Sequence, residues 1–106
     1  MAETATVIWQ RDNLTVTVDR NEDGGLTIFG HDLAGWGPGS SDYEYAVTVD
    51  AGDIPVILAA LGGRPGDDVV PLLVANAETI VATVGETAWL KSLGIEPQVW
   101  NHVDFT

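Results

Sequence analysis

Apolar residues recur at every second position in the first half of the chain and at helical spacing in the second half. Leu14, Val16 and Val18 alternate with polar residues, which predicts a half-buried β-strand. Asp23 and two glycines then supply turn residues, and the alternation resumes over residues 26–29. We therefore expect a β-hairpin over residues 14–29.

Two further strands are expected around this hairpin. A weaker pattern covers residues 5–10, and a clearer one covers residues 43–49. In the second of these, alternate residues share one face of the strand: Tyr43, Tyr45, Val47 and Val49. Together the four strands predict an antiparallel meander.

Three helices are expected after residue 50. Asp53 is a candidate N-cap for the first helix, which should end at Gly62. The second should begin at Asp67 and Asp68 and continue along one apolar stripe: Val70, Leu73, Ala77, Ile80 and Val84. The third should cover residues 86–93, and a last helical turn should run from residue 97 to 100.

Strands followed by helices predict a single α+β domain over residues 1–106. Its two layers would be a four-stranded antiparallel meander and three C-terminal helices that cover one face of it. The other face would carry threonines together with Phe29 and either Val7 or Trp9. This face should therefore be wet but not wholly polar.

Charge is the most unusual property of the composition. Sixteen Asp and Glu stand against four Lys and Arg, for a net charge of −12, although 45% of the chain is apolar. We expect a folded core with a negative surface that needs either solvent or a cationic partner. The few cations are scattered, so binding to nucleic acid or to an anionic membrane is not expected.

Cofactors and targeting segments are not expected either. Cysteine is absent, which excludes disulfides and thiolate metal sites, and His31 and His102 are the only nitrogen ligands for zinc. The first residues show no signal-peptide pattern, and no apolar run is long enough to span a membrane. These features favour a soluble, cytoplasmic protein without a cofactor.

One segment partly matches a calcium-binding loop. Asp19, Asn21 and Asp23 place oxygen ligands at loop positions one, three and five, and Gly24 stands at position six. Position twelve should be a bidentate Glu and is Gly30. An acidic hairpin turn explains the same residues, so calcium binding stays an alternative.

Catalysis has a thinner basis in the sequence. His31 precedes Asp32, and His102 lies two residues before Asp104, so each imidazole has a carboxylate nearby in sequence. Sequence neighbours need not lie in catalytic geometry, and no nucleophile or phosphate motif accompanies them. We expect no enzyme, and a small-molecule enzyme that uses His31 or His102 is the alternative.

Four tryptophans are many for this length. Trp89 and Trp100 have apolar neighbours and are expected in the core. Trp36 lies in a glycine-rich loop among acids, as interface anchors do, although it could equally fold back over the sheet edge. The predicted partner-binding patch consists of Asp32, Trp36, Asp42, Tyr43, Glu44 and Tyr45.

The C-terminal segment carries a family resemblance. Residues 85–100 contain Trp89, Leu93, Gly94 and Ile95, followed by Pro97 and Trp100. This stretch resembles the ending of small acidic bacterial proteins grouped with the immunity proteins of polymorphic toxin systems. The resemblance implies an α+β, non-enzymatic protein that neutralises a cognate toxin, and it transfers no binding residue.

The resemblance, supported by the negative charge, therefore implies a stoichiometric inhibitor of a basic toxin or nuclease. Acidic side chains can mimic phosphate charge and accelerate association with a basic protein. We expect binding to weaken as salt rises and Trp36→Ala to lose affinity. The alternatives are an acid-rich proteome that explains the charge by solvation alone, a calcium-responsive module and a small-molecule enzyme, and a homodimer is left open.

Overall fold

A computed structural model describes residues 5–11, 13–32 and 41–105, with only the backbone described for residues 41, 42 and 102–105. The five strands are β1 (Thr6–Arg11), β2 (Leu14–Arg20), β3 (Leu26–Asp32), β4 (Ser41–Val49) and β5 (Gln98–Phe105). The α-helices are α1 (Ile54–Ala60), α2 (Val69–Ala75) and α3 (Glu86–Ser92). A 3-10 turn (Ala51–Asp53) precedes α1, and a π-helical segment (Glu78–Val84) precedes α3.

The sheet is antiparallel throughout and follows the order β1-β2-β3-β4-β5. The predicted hairpin joins β2 to β3, with Arg20 opposite Leu26. Its turn is closed by a 2.9 Å hydrogen bond from Asn21 N to Gly25 O, and Gly24 takes a φ of 93° that suits glycine. The hairpin and the α+β class are confirmed, but the meander has a fifth strand.

The core lies between one face of the sheet and the helices. Alternate residues of β2, β3 and β4 are buried, as period two requires: Val16, Val18, Leu26, Ile28, Val47 and Val49. The helical segments bury their apolar side chains in the same cluster: Ile57, Leu58, Val69, Val70, Leu73, Ile80 and Leu90. The described helices thus cover one face of the sheet, as expected.

Helix capping follows the prediction at one helix and departs from it at another. The side chain of Asp68 accepts a 3.1 Å hydrogen bond from Val70 N and caps α2. Asp53 precedes α1 but makes no side-chain cap, because it already belongs to the 3-10 turn. The two acids expected to begin helices therefore differ in role.

The predicted second helix is not one continuous α-helix. Val70, Leu73, Ala77 and Ile80 are buried as the stripe requires, but Val84 is 44% exposed. Residues 78–84 form a π-helical segment, whose wider turn does not continue a stripe of period 3.6.

The chain after Pro97 is a strand and not the predicted helical turn. β5 pairs along its length with β4, with Val99 opposite Val47 and Trp100 opposite Ala46. Pairing satisfies more backbone groups than one isolated helical turn could. Trp100 is consequently 52% exposed and not in the core, whereas Trp89 packs partly buried against the core as predicted.

In the described parts of the chain, no helix has the length and apolar content needed to cross a membrane.

Candidate functional site

The sheet turns one face away from the helices, and we call it the open face. It consists of the residues that alternate with the buried positions of each strand. The open-face residues with described side chains are Val7, Gln10, Thr15, Thr17, Asp19, Thr27, Phe29, His31, Glu44, Ala46, Thr48, Gln98 and Trp100.

A row of side chains that is apolar except for Thr17 crosses the open face, and we call it the apolar row. The register aligns Val7 with Thr17, Thr17 with Phe29, Phe29 with Ala46 and Ala46 with Trp100, so the row runs over all five strands. The two ends of the row are the most exposed, at 51% for Val7 and 52% for Trp100. An exposed tryptophan at the end of an apolar row is typical of an interaction surface.

A polar row lies beside the apolar one. Gln10 Nε2 donates a 3.3 Å hydrogen bond to Thr15 Oγ1, and Thr15 lies opposite His31 in the register. His31 Nε2 lies 3.7 Å from Glu44 Oε2, and both side chains are about one-third exposed, at 35% and 31%. When its imidazole is protonated, His31 forms an ion pair with Glu44.

The permanent charges of the open face are negative. Asp19 and Glu44 lie on it, whereas each of the four Lys and Arg residues lies elsewhere. Arg11 and Arg20 are opposite Leu14 and Leu26, on the helix side of the sheet. Arg20 there pairs with Asp68, and Arg64 and Lys91 lie in the helical layer.

The predicted partner-binding patch is divided by the structure. Asp32 lies opposite Tyr43 on the helix side, where the Tyr43 and Tyr45 rings are 5.8 Å apart. Glu44 lies on the open face, because neighbours along a strand point to opposite faces. Trp36 lies outside the described residues, and only the backbone of Asp42 is described.

Tyr45 links the sheet to α3. Its hydroxyl donates a hydrogen bond to Oε2 of Glu86, a carboxylate that is only 8% exposed. Burial, followed by the hydrogen bond to Glu86, raises the pKa of Tyr45 well above its ordinary value. These contacts give Tyr45 a structural role on the helix side.

The residues of the calcium alternative serve the hairpin turn. Asn21 Oδ1 accepts a 2.8 Å hydrogen bond from Thr27 Oγ1, and Asp23 Oδ1 accepts one of 2.9 Å from Gly25 N. Asp19 lies on the open face. Among the described residues, no three His, Cys, Asp or Glu side chains cluster in a way that could hold a metal ion.

The catalytic alternative rests on two histidines. His31 and Asp32 are adjacent on β3, so their side chains point to opposite faces, and the carboxylate near His31 is that of Glu44. Only the backbone of His102 is described, and it lies opposite Glu44.

Sequence reasoning missed Trp100 as a surface residue. Val99, Trp100 and Val103 favour a strand, whereas Pro97 favours the start of a helical turn, and the two local signals conflict. Comparison with known proteins finds no match among family models, curated proteins or solved structures.

Proposed function

We propose that this protein is a non-catalytic acidic binding protein, an immunity-like stoichiometric inhibitor of a basic toxin or nuclease. We propose further that it binds this partner through the open face of its sheet. The observation that carries the proposal is the combination of exposed Trp100 with Asp19 and Glu44 on a face without Lys or Arg among its described residues.

Trp100 has the properties of an interface anchor. It offers a large apolar surface that is half exposed, and it ends an apolar row that a partner could cover. Tryptophan and arginine are the residues that most often dominate binding energy. An arginine from a basic partner could stack on the indole ring and gain a cation–π contact.

Charge complementarity supports a basic partner. The carboxylate of Glu44 lies next to the apolar row, and the whole chain carries a net charge of −12. Such a surface attracts a basic protein over several ångströms and raises its association rate to about 10⁸ M⁻¹s⁻¹ at low salt. A nuclease groove, built to hold phosphates, is a suitable basic surface. The C-terminal resemblance to immunity proteins points to the same class of partner.

The test begins with capture of a binding protein from a lysate of the native cells at low salt. The captured protein is then purified, and its Kd, its association rate and its own enzymatic activity are measured with wild-type protein and with variants. We expect an excess of Lys and Arg in the captured protein, one-to-one inhibition of its activity, and an association rate that falls as salt rises.

Variants locate the surface. Trp100→Ala should weaken binding by at least about tenfold, the effect of losing an interface anchor. Glu44→Gln should slow association, and Glu78→Gln, which removes an exposed carboxylate from the helical layer, is its matched control. Val74→Ala, at another exposed apolar residue, is the control for Trp100→Ala. Trp36→Ala tests the loop surface that the sequence predicts.

Three outcomes would contradict the proposal in different ways. An association rate indifferent to salt removes the electrostatic argument. If wild type and Trp100→Ala bind with equal affinity while Trp36→Ala binds more weakly, the partner binds the loop around Trp36 and not the open face. If the captured protein keeps its full enzymatic activity when it is saturated with this protein, the proposed inhibitory function is wrong.

A further inference from the structure

A pocket of about 340 Å³ lies on the helix side of the sheet, at the end where β1 meets β2. Its walls come from three places in the chain: Trp9, Arg11 and Leu14 around the β1–β2 turn, Asp32 at the end of β3, and Val81 of the π-helical segment. Its volume is near the lower limit for small-molecule sites. The pocket lies on the opposite face of the sheet from Trp100.

Two irregularities of the backbone build this pocket. The register of β1 against β2 shifts between Val7 and Trp9, so Val7 lies on the open face and Trp9 on the helix side. Without this bulge, period two would place both residues on one face. Val81 lies in the π-helical segment, a rare conformation that occurs frequently at functional sites, as β-bulges also do.

The pocket has one positive side chain, Arg11, and one negative side chain, Asp32, which do not form an ion pair with each other. Arg11 lies opposite Leu14, and Leu14 lies opposite Asp32, so the Cα atoms of Arg11 and Asp32 are two strand spacings apart, about 10 Å. The ion pairs among the described residues do not join them. The guanidinium lies 6.0 Å from the centroid of the Trp9 ring. Arg11 is exposed, and Asp32 is only partly buried.

We infer that this pocket binds a free α-amino acid with an aromatic or large aliphatic side chain. The ligand carboxylate would accept hydrogen bonds from Arg11, and its ammonium group would donate one to Asp32. Arg11 and Asp32 flank Leu14 in the register, so the two ends of one small zwitterion could each meet a charged side chain through a hydrogen bond of about 3 Å. The apolar side chain would lie against Trp9, Leu14 and Val81, which supply the hydrophobic wall that such sites require.

The ligand chemistry can be dissected with three compounds. L-Phenylalanine carries both charges, phenylpropionate lacks the ammonium group, and phenethylamine lacks the carboxylate. Each is titrated into the ¹⁵N-labelled protein while the Trp9 indole and Val81 amide resonances are followed. We expect saturable shifts with L-phenylalanine and at least about tenfold weaker binding of each analogue, since each loses one charge-assisted hydrogen bond.

Two variants assign the charges. Asp32→Asn should remove the preference for L-phenylalanine over phenylpropionate, and Arg11→Gln should remove its preference over phenethylamine. Asp50→Asn and Lys91→Gln change the net charge equally at exposed residues away from the pocket and should leave both preferences intact. Because all four side chains lie at or near the surface, the variants should fold.

The inference is overturned if L-phenylalanine produces no saturable shift, if the three compounds bind equally, or if the shifts centre on Trp100. This experiment does not involve the proposed protein partner, so its outcome is independent of the proposed inhibitory function.

Discussion

At the scale of single residues, Gly30 determines how closely a side chain can lie on the sheet. It stands opposite Tyr45 on β3, and a Cβ built on it would lie 2.1 Å from Cζ of the tyrosine ring. No real Cβ tolerates that distance, so the ring can cover the strand only because this residue has no side chain. The need for glycine here comes from a side chain on the neighbouring strand and not from a turn.

Gly30→Ala should therefore destabilise the protein by about 1–3 kcal/mol, the usual cost of overpacking a filled site. Urea unfolding monitored by circular dichroism measures this free energy. Gly52→Ala is the matched control, because a Cβ at Gly52 meets no atom within 4 Å. In a Tyr45→Ala background the cost of Gly30→Ala should fall by more than half, since the clash is gone. Equal costs for Gly30→Ala and Gly52→Ala would refute the assignment.

At the scale of elements, one hydrogen bond joins α3 to the sheet, in addition to the packing of Leu90 in the core. Glu86 is the first residue of α3 and is buried, and its described hydrogen bond comes from the Tyr45 hydroxyl of β4. A buried carboxylate without a donor is costly, so this contact matters more than an average hydrogen bond. It attaches α3 to β4, the strand beside the β5 edge of the sheet.

Stability at alkaline pH reports on this attachment. The pKa of Tyr45 is raised in the folded protein, so its proton stabilises the fold below the unfolded-state value of about 10, and that contribution is lost as pH rises above it. Above about pH 10, the free energy of unfolding should fall by at most about 1.4 kcal/mol per pH unit. Because the ring is only partly buried, solvent screening should make the actual decline smaller than this limit.

Tyr45→Phe should remove this alkaline decline and should cost about 1–3 kcal/mol at neutral pH, where Glu86 loses its donor. Tyr43→Phe, at the neighbouring and more exposed ring, is the control and should keep the decline. Urea unfolding at a series of pH values from neutral to alkaline measures both effects. If wild type and Tyr45→Phe decline in parallel, the titrating group is elsewhere.

The same elements show what the sequence could predict. Period two located β2, β3 and β4 because their buried face alternates strictly with Thr15, Thr17 and Thr27. The sequence pattern does not predict β5, because its strand character depends on pairing with β4, about fifty residues earlier in sequence, whereas Pro97 is a local signal for a helical start.

The candidate sites follow the same division between local and non-local signals. Alternation correctly placed Tyr43 and Tyr45 on one face, which already separates them from Glu44 on the other. The bulge that moves Trp9 to the helix side has no comparable local signal in the chain. The sequence pattern therefore does not predict the pocket beside Asp32.

At the scale of the whole molecule, the chain has sixteen Asp and Glu residues but four Lys and Arg. These cations do little to offset the repulsion among the carboxylates. The Arg20–Asp68 pair joins two half-exposed side chains, at 55% and 51%. An exposed pair of this kind contributes at most about 1 kcal/mol. Mutual repulsion among the remaining acids must therefore lower the stability of the compact state.

Salt should consequently raise the melting temperature. Raising NaCl from about 0.01 M to about 1 M shortens the Debye length from about 30 Å to about 3 Å and screens this repulsion.

Lys91, exposed on α3, allows a graded test of this effect. Lys91→Gln and Lys91→Glu make the net charge more negative by one and by two. At low salt, their decreases in melting temperature relative to wild type should therefore have a ratio of about one to two, and both decreases should vanish in about 1 M NaCl. Differential scanning calorimetry measures them. A melting temperature indifferent to salt in all three proteins would mean that the acids are too far apart to repel. Unfolding of the wild type below molar salt would instead identify the charge as an adaptation to a saline interior.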